Sequence, residues 1–177
     1  MVVVRIKLIR LLKIGWFSLG LLPVVPFMFG YYFLSSPKWI SDTKYVAFVA
    51  GTASAVWILC VLVAKWEALP GDDWKKCCAV LGSPLMGYFV GKNVVYITGP
   101  MLLAFAVGHS AELTLTVRES KSTRGCRSPV EFRELSFLFD KICNVPADIR
   151  QGLGPGEIVV VSGHGTNLGL FAAAIKP

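Results

Sequence analysis

The chain has 177 residues, of which 54% are hydrophobic and 16% charged, with a formal charge of +7. Soluble domains sit near ~45–50% apolar and ~25% charged; the apolar excess here lies before residue 109, which excludes a uniformly soluble chain and fits membrane spans with a polar appendix. From His109 onward eight Lys/Arg stand against seven Asp/Glu, so most of the positive charge belongs to the apolar part; that argues against a nucleic-acid partner and for cations meeting anionic headgroups.

Residues 1–13 form a basic tail with Arg5, Lys7, Arg10 and Lys13. A signal peptide starts the same way, but the following apolar run reaches Leu34 without a small-x-small cleavage site, so an uncleaved first span over about 14–34 is expected. Pro23 and Pro26 predict a kink within it, and Trp16, Tyr31, Tyr32 and Trp39 fall near its ends, where aromatic rings favour the interface. A loop over 35–44 leads to a second span at about 45–64. The next loop holds Lys65, Glu67, Asp72, Asp73, Lys75 and Lys76, broken by Pro70-Gly71.

The third apolar stretch, about 78–107, is longer than one span requires. Pro84, Lys92-Asn93 and Pro100 interrupt it. It reads either as one tilted or kinked span or as a re-entrant hairpin of 78–91 and 94–107. The two pieces are too short for two full spans, and the single span is preferred. Basic residues stay in the cytoplasm, which sets the N-terminus inside and, after three spans, the C-terminus outside. Arg118, Lys121, Arg124 and Arg127 weigh against this, but whole domains translocate largely regardless of charge.

The fold class expected is three transmembrane helices, within a membrane region over 14–108, followed by a small all-β domain over 109–177. Leu113, Leu115 and Val117 alternate with Thr114 and Thr116, the period of a half-buried strand. Ser120 to Gly125 reads as a turn. A second alternation runs from Val130 through Phe139, with a bulge or turn near Arg133-Glu134 where its phase shifts. A short helix at 146–151, a turn at 154–156, a valine-rich strand at 157–162, a turn at 163–167 and a last strand at 168–175 complete a barrel or sandwich of four to five strands.

Few residues have a claim to chemistry. Cys60 falls in the second span and Cys77 and Cys78 at the cytoplasmic end of the third. Cys126 and Cys143 are the two cysteines of the C-terminal domain, and outside the cytoplasm they predict a structural disulfide. Lys92, with Asn93, is an intramembrane polar candidate, because an ionisable group at membrane depth is costly; the plainer reading is a lysine that snorkels to a headgroup. The segment Gly87 to Asn93 lacks the spacing and hydroxyl of a phosphate loop. Ser83, Gly87 and Gly91, and likewise Ala47, Gly51 and Ala55, recur every fourth position, which predicts close packing of the second and third spans. Ser162 and His164 lack the glycines of a nucleophile elbow, the histidines are too few for a metal site, and Asp72-Asp73 reads as a solvated turn.

These features predict a small multi-pass protein of the bacterial inner-membrane type that presents a periplasmic β domain. The role expected is non-enzymatic: binding, an accessory place in a membrane complex, or immunity to a secreted toxin. Its partners would be membrane lipid and another membrane or secreted protein, with no cofactor and no nucleic acid. The alternative is a membrane enzyme or transport component using Lys92.

Overall fold

The computed structural model describes residues 14–119, 128–135 and 140–176. The basic tail, the expected 120–125 turn with Cys126, and the expected strand through Phe137 and Phe139 lie outside the described residues. The chain forms two compact units, Met1–Leu22 with Thr43–Tyr96, and Pro23–Asp42 with Ile97–Pro177.

The first apolar stretch is not one helix, which corrects the expected span over 14–34. Helix α1 (residues 14–21) stops at a turn, α2 (Val24–Met28) follows, and the chain then leaves the helix. Leu22 precedes a proline, a position that disfavours helix, and Pro23 has no N–H with which to extend α1. The end of α2 is a Schellman turn. The Tyr31 N–H donates to the Pro26 carbonyl at 2.9 Å and the Gly30 N–H to the Phe27 carbonyl at 3.1 Å, with Gly30 at φ +81°. Strand β1 (Phe33–Ser35) begins three residues later, and the expected loop then holds helix α3 (Pro37–Asp42).

Two helices are long and apolar enough to cross a membrane. The first, α4 (Lys44–Ala64), matches the second expected span, and its 21 residues extend about 31 Å. The second is continuous from Asp73 to Val107, so the third apolar stretch is not a re-entrant hairpin. It has three parts: α5 (Asp73–Asn93), one widened π turn (Val94–Thr98) and α6 (Gly99–Val107). Each internal proline has a local accommodation. Pro84 cannot donate to the Val80 carbonyl, and the Ser83 hydroxyl donates to that oxygen instead, at 2.9 Å. Pro100 likewise denies a partner to the Tyr96 carbonyl, and the π turn lies directly before it.

Within the first unit α4 and α5 pack closely. A Cβ on Gly87 would lie 2.8 Å from the Ala55 Cα, one on Gly91 would overlap the Ala50 carbonyl, and one on Gly51 would lie 2.8 Å from the Tyr88 ring. Ala47, Gly51, Ser83, Gly87 and Gly91 are all buried, and Ala55 is partly so. Helix α1 joins them through Gly20 against Val90 and through the Trp16 indole, which donates to the Ser54 hydroxyl at 3.0 Å. The long linker turn is solvated as expected, with Lys75 3.5 Å from Asp72 and Lys76 4.0 Å from Asp73.

The second unit is built on one six-stranded antiparallel sheet. Its strands are β1, β2 (His109–Glu119), β3 (Val130–Phe132), β4 (Lys141–Ile142), β5 (Ile158–Thr166) and β6 (Gly169–Lys176), in the order β1-β6-β5-β2-β3-β4. Two strands, β1 and β4, were not expected, and β1 comes from before the long helices. Phe33 pairs with Phe171 and Ser35 with Gly169, and the two phenylalanine rings meet edge to face at 5.1 Å. Leu113, Leu115 and Val117 face the core with Val159, Val161, Phe132 and Leu170, as their alternation requires.

Of the bulge or turn expected near Arg133-Glu134, the chain makes a bend over 133–135, with the Arg133 N–H donating to the Thr116 carbonyl, and β2 has an irregularity of its own between Val117 and Glu119. One local expectation is corrected. Gly163 and Gly165 lie inside β5 rather than in a turn. A Cβ at either would strike the backbone of β6, so the glycines serve close approach and the turn is at Asn167-Leu168. Helix α6 packs on β5 and β6, burying Pro100, Met101 and Ala104 and exposing Leu102, Leu103, Phe105 and Val107.

The α4–α5 contact generates a direct test. Gly87→Ile and Gly91→Ile should each destabilise the detergent-solubilised protein by about 1–3 kcal/mol through overpacking. Gly82→Ile, where a Cβ meets nothing within 4 Å, should stay within about 0.5 kcal/mol of wild type. Equal effects at all three positions in thermal unfolding would refute the packing account.

Candidate functional site

Lys92 lies in the last turn of α5, half-buried, with Tyr88 one turn before it and Tyr96 one turn after. Its ammonium nitrogen stands 5.4 Å from the centre of the Tyr96 ring and 5.8 Å from that of Tyr88, the geometry of a double cation–π contact. Tyr88 is held in turn by Gly51 beneath it and by Phe48, whose ring meets it at 6.4 Å. Asn93 is the next residue and is also half-buried. The depth of this cluster follows from the helix register. Gly91 lies against Ala50 and Ser54, and Gly51 against Tyr88, so Lys92 is level with the second turn of α4 and not with its middle. The spacing of Tyr88, Lys92 and Tyr96 by four is visible in the sequence, yet only the register gives its depth.

The second unit holds a cavity of about 300 Å³. Its walls are the half of β6 that β1 does not cover (Ala172–Ile175), the segment Ile142–Pro146, Gly30 with Tyr32, and Ile149 of helix α7 (Ala147–Gln151). That volume is at the small end of the range used for ligands, and the lining is largely apolar. Asn144, on the wall, adopts φ +62°, a left-handed conformation that asparagine tolerates better than most residues. Nothing in the composition of these segments announced the cavity, because its parts come from four separate stretches of chain.

Cys143, 9% exposed, also lines the cavity, and Cys60, Cys77 and Cys78 are free. Its expected partner, Cys126, lies outside the described residues. Ser162 and His164 flank a shallow surface depression with Ser110, and a bulge at Gly163 separates them. No hydrogen bond joins the two, and His164 is exposed with its Nε2 over the Gly108 backbone. Among the described residues no three His, Cys, Asp or Glu side chains come together as a metal site.

Two carboxylates of the second unit sit in unusual surroundings. At Glu134 burial acts to raise the pKa, but hydrogen bonds from Thr116, including its amide at 3.1 Å, outweigh it and hold the carboxyl below the usual range. At Asp140, only 6% exposed, burial dominates and the charge of Glu131 adds to it, so the carboxyl is held above the usual range. No family model matches this chain, and neither does any curated protein or solved structure.

The raised Asp140 pKa sets a pH dependence. The folded state binds this proton more tightly than the unfolded state, so the contribution is complete below the ordinary aspartate pKa and is lost as pH rises through the folded value. Asp140→Asn should therefore raise the thermal midpoint at pH 7 by about 2–5 °C, and the advantage should shrink toward pH 4. A variant less stable than wild type at pH 7 would show that partners of the carboxylate outweigh its burial.

Proposed function

We propose that this is a multi-pass inner-membrane protein without catalytic activity, whose helices hold the β domain at the periplasmic surface, where its cavity binds a partner. The observation that carries this reading is the pairing of β1 with β6. Phe33–Ser35 and Gly169–Phe171 share one sheet and must lie on one side of any membrane. Between them in sequence stand two helices of membrane length, an even number of crossings. The faces of these helices favour lipid as their solvent: α4 leaves Tyr45, Val46, Phe48, Val49, Val56 and Val63 uncovered, and only 22% of its most apolar window is buried.

The apolar length beyond α4 then has a use. Register aligns α4 with about residues 77–97 of the long helix, and α6 belongs instead to the β-domain unit. The exposed Leu102, Leu103, Phe105 and Val107 sit in the headgroup boundary in this reading. Lys65, Lys75 and Lys76 place the 65–73 turn in the cytoplasm. A bridge between Cys143 and Cys126, the two cysteines of this domain, would belong to the oxidising side. A small membrane-held domain with a cavity is the form that an accessory or immunity role would take. A midplane transport site at Lys92 is disfavoured by its level near the start of α4.

Topology reporters test the arrangement. A periplasm-only reporter after Pro177 should be active and the same reporter within Leu69–Gly71 inactive; the reverse pattern overturns the orientation, and equal activity at both sites overturns the hairpin. Alkylation of membranes without reductant should label Cys60, Cys77 and Cys78 but neither Cys126 nor Cys143. Ala174→Trp, which fills the cavity, should abolish partner capture by the full-length protein while membrane levels hold, and unchanged capture would remove the cavity from the function.

A further inference from the structure

From the arrangement around Lys92 we infer a binding site for the phosphate group of an anionic phospholipid, formed by Lys92 between Tyr88 and Tyr96. The inference rests on the membrane-embedded reading of α4 and α5 but not on which side the β domain occupies. A lysine ammonium has three N–H donors and a full charge, and in an apolar setting both need an anionic or oxygen partner. Among the described residues Lys92 has neither. Its contacts are the two ring faces, which stabilise a cation without accepting its hydrogen bonds in the way an oxygen does. The carboxylates of this unit, Glu67, Asp72 and Asp73, lie in the linker at the opposite end of both helices. Among the described residues no ion pair neutralises it.

The level of the cluster suits a lipid phosphate. Lys92 lies opposite Ala50–Gly51, six or seven residues from the start of α4 at Lys44, a rise of about 10 Å. That places its Cα inside one leaflet and lets its aliphatic stem carry the ammonium toward the headgroup layer. Tyr88, Lys92 and Tyr96 form a row on one helix face, and the Tyr88 hydroxyl is a further donor to a phosphate oxygen. The row is fixed before any lipid arrives. Tyr88 is seated on Gly51 and against Phe48, and Tyr96 is only 6% exposed. The π turn that opens at Val94 puts Tyr96 within this face and leaves the helix widened beside the ammonium. A choline headgroup carries its own cation and competes with Lys92 for the phosphate, so the site favours lipids of net negative charge such as phosphatidylglycerol.

The test uses the full-length protein in nanodiscs of phosphatidylcholine alone or with phosphatidylglycerol, followed by detergent extraction and quantification of the retained lipid. Wild type should retain phosphatidylglycerol with a preference of about tenfold over phosphatidylcholine. Lys92→Gln should lose that preference, Lys92→Arg should keep it, and Tyr88→Phe should weaken it. Resistance of all variants to alkaline extraction from membranes reports the embedding separately, so its loss marks failure of the membrane reading and not of the site. Equal retention by wild type and Lys92→Gln overturns the proposal. Displacement of phosphatidylglycerol by millimolar inorganic phosphate assigns the site to a free anion and overturns the lipid assignment.

Discussion

The hydrogen bonds between Phe33–Ser35 and Gly169–Phe171 decide what the rest of the chain is able to do. They draw a three-residue strand from the N-terminal third into a sheet made otherwise by residues from His109 onward. Everything between, including both helices of membrane length, must leave that sheet and come back to it. A helical pair with tightly packed small residues is the shortest such excursion. The close approach of Gly87 and Gly91 to α4 brings the chain back beside where it left. The same constraint explains α6. Once the long helix has returned, its last nine residues lie on β5 and β6 as part of the domain core, through Pro100, Met101 and Ala104.

The polar accounting within the helices obeys a stricter version of the rule that governs soluble cores. A backbone carbonyl without a donor is costly in hydrocarbon. The Ser83 hydroxyl takes the Val80 carbonyl that Pro84 leaves, Ser54 donates to the Ala50 carbonyl at 2.7 Å while accepting from Trp16, and Thr52 donates to Phe48 at 2.7 Å. Ser83 therefore has two duties, as a small residue at a helix contact and as the replacement donor for a proline. Lys92 departs from this pattern as a donor matched to no oxygen among the described residues.

Much of this was legible in the sequence where the signal is local. The even run of apolar residues over Lys44–Ala64 and the alternation around Leu113, Leu115 and Val117 each fix an element by periodicity alone. The spacing of the small residues anticipated which faces of α4 and α5 meet. What failed was non-local. Tyr31–Leu34 is apolar and aromatic, as suitable for the end of a span as for an edge strand, and only the partner Gly169–Phe171 decides between them. The glycines of β5 looked like a turn because a sequence does not reveal that the neighbouring backbone of β6 lies where their side chains would be. The cavity was invisible for the same reason, since β4 and the half-covered edge of β6 exist only in relation to each other.

The sheet order also has a consequence for biogenesis. Strand β1 emerges from the ribosome before the long helices have been made, and its partner β6 only after both of them. The domain cannot complete its sheet until β6 is made, whatever the speed of its local contacts. Until then β1 carries unmet backbone groups and the β5 side of the sheet lacks its neighbour, a pairing of very high sequence separation and correspondingly slow formation. A chain that stopped short of Gly169 would keep both long helices and lose the strand that joins β1 to β5.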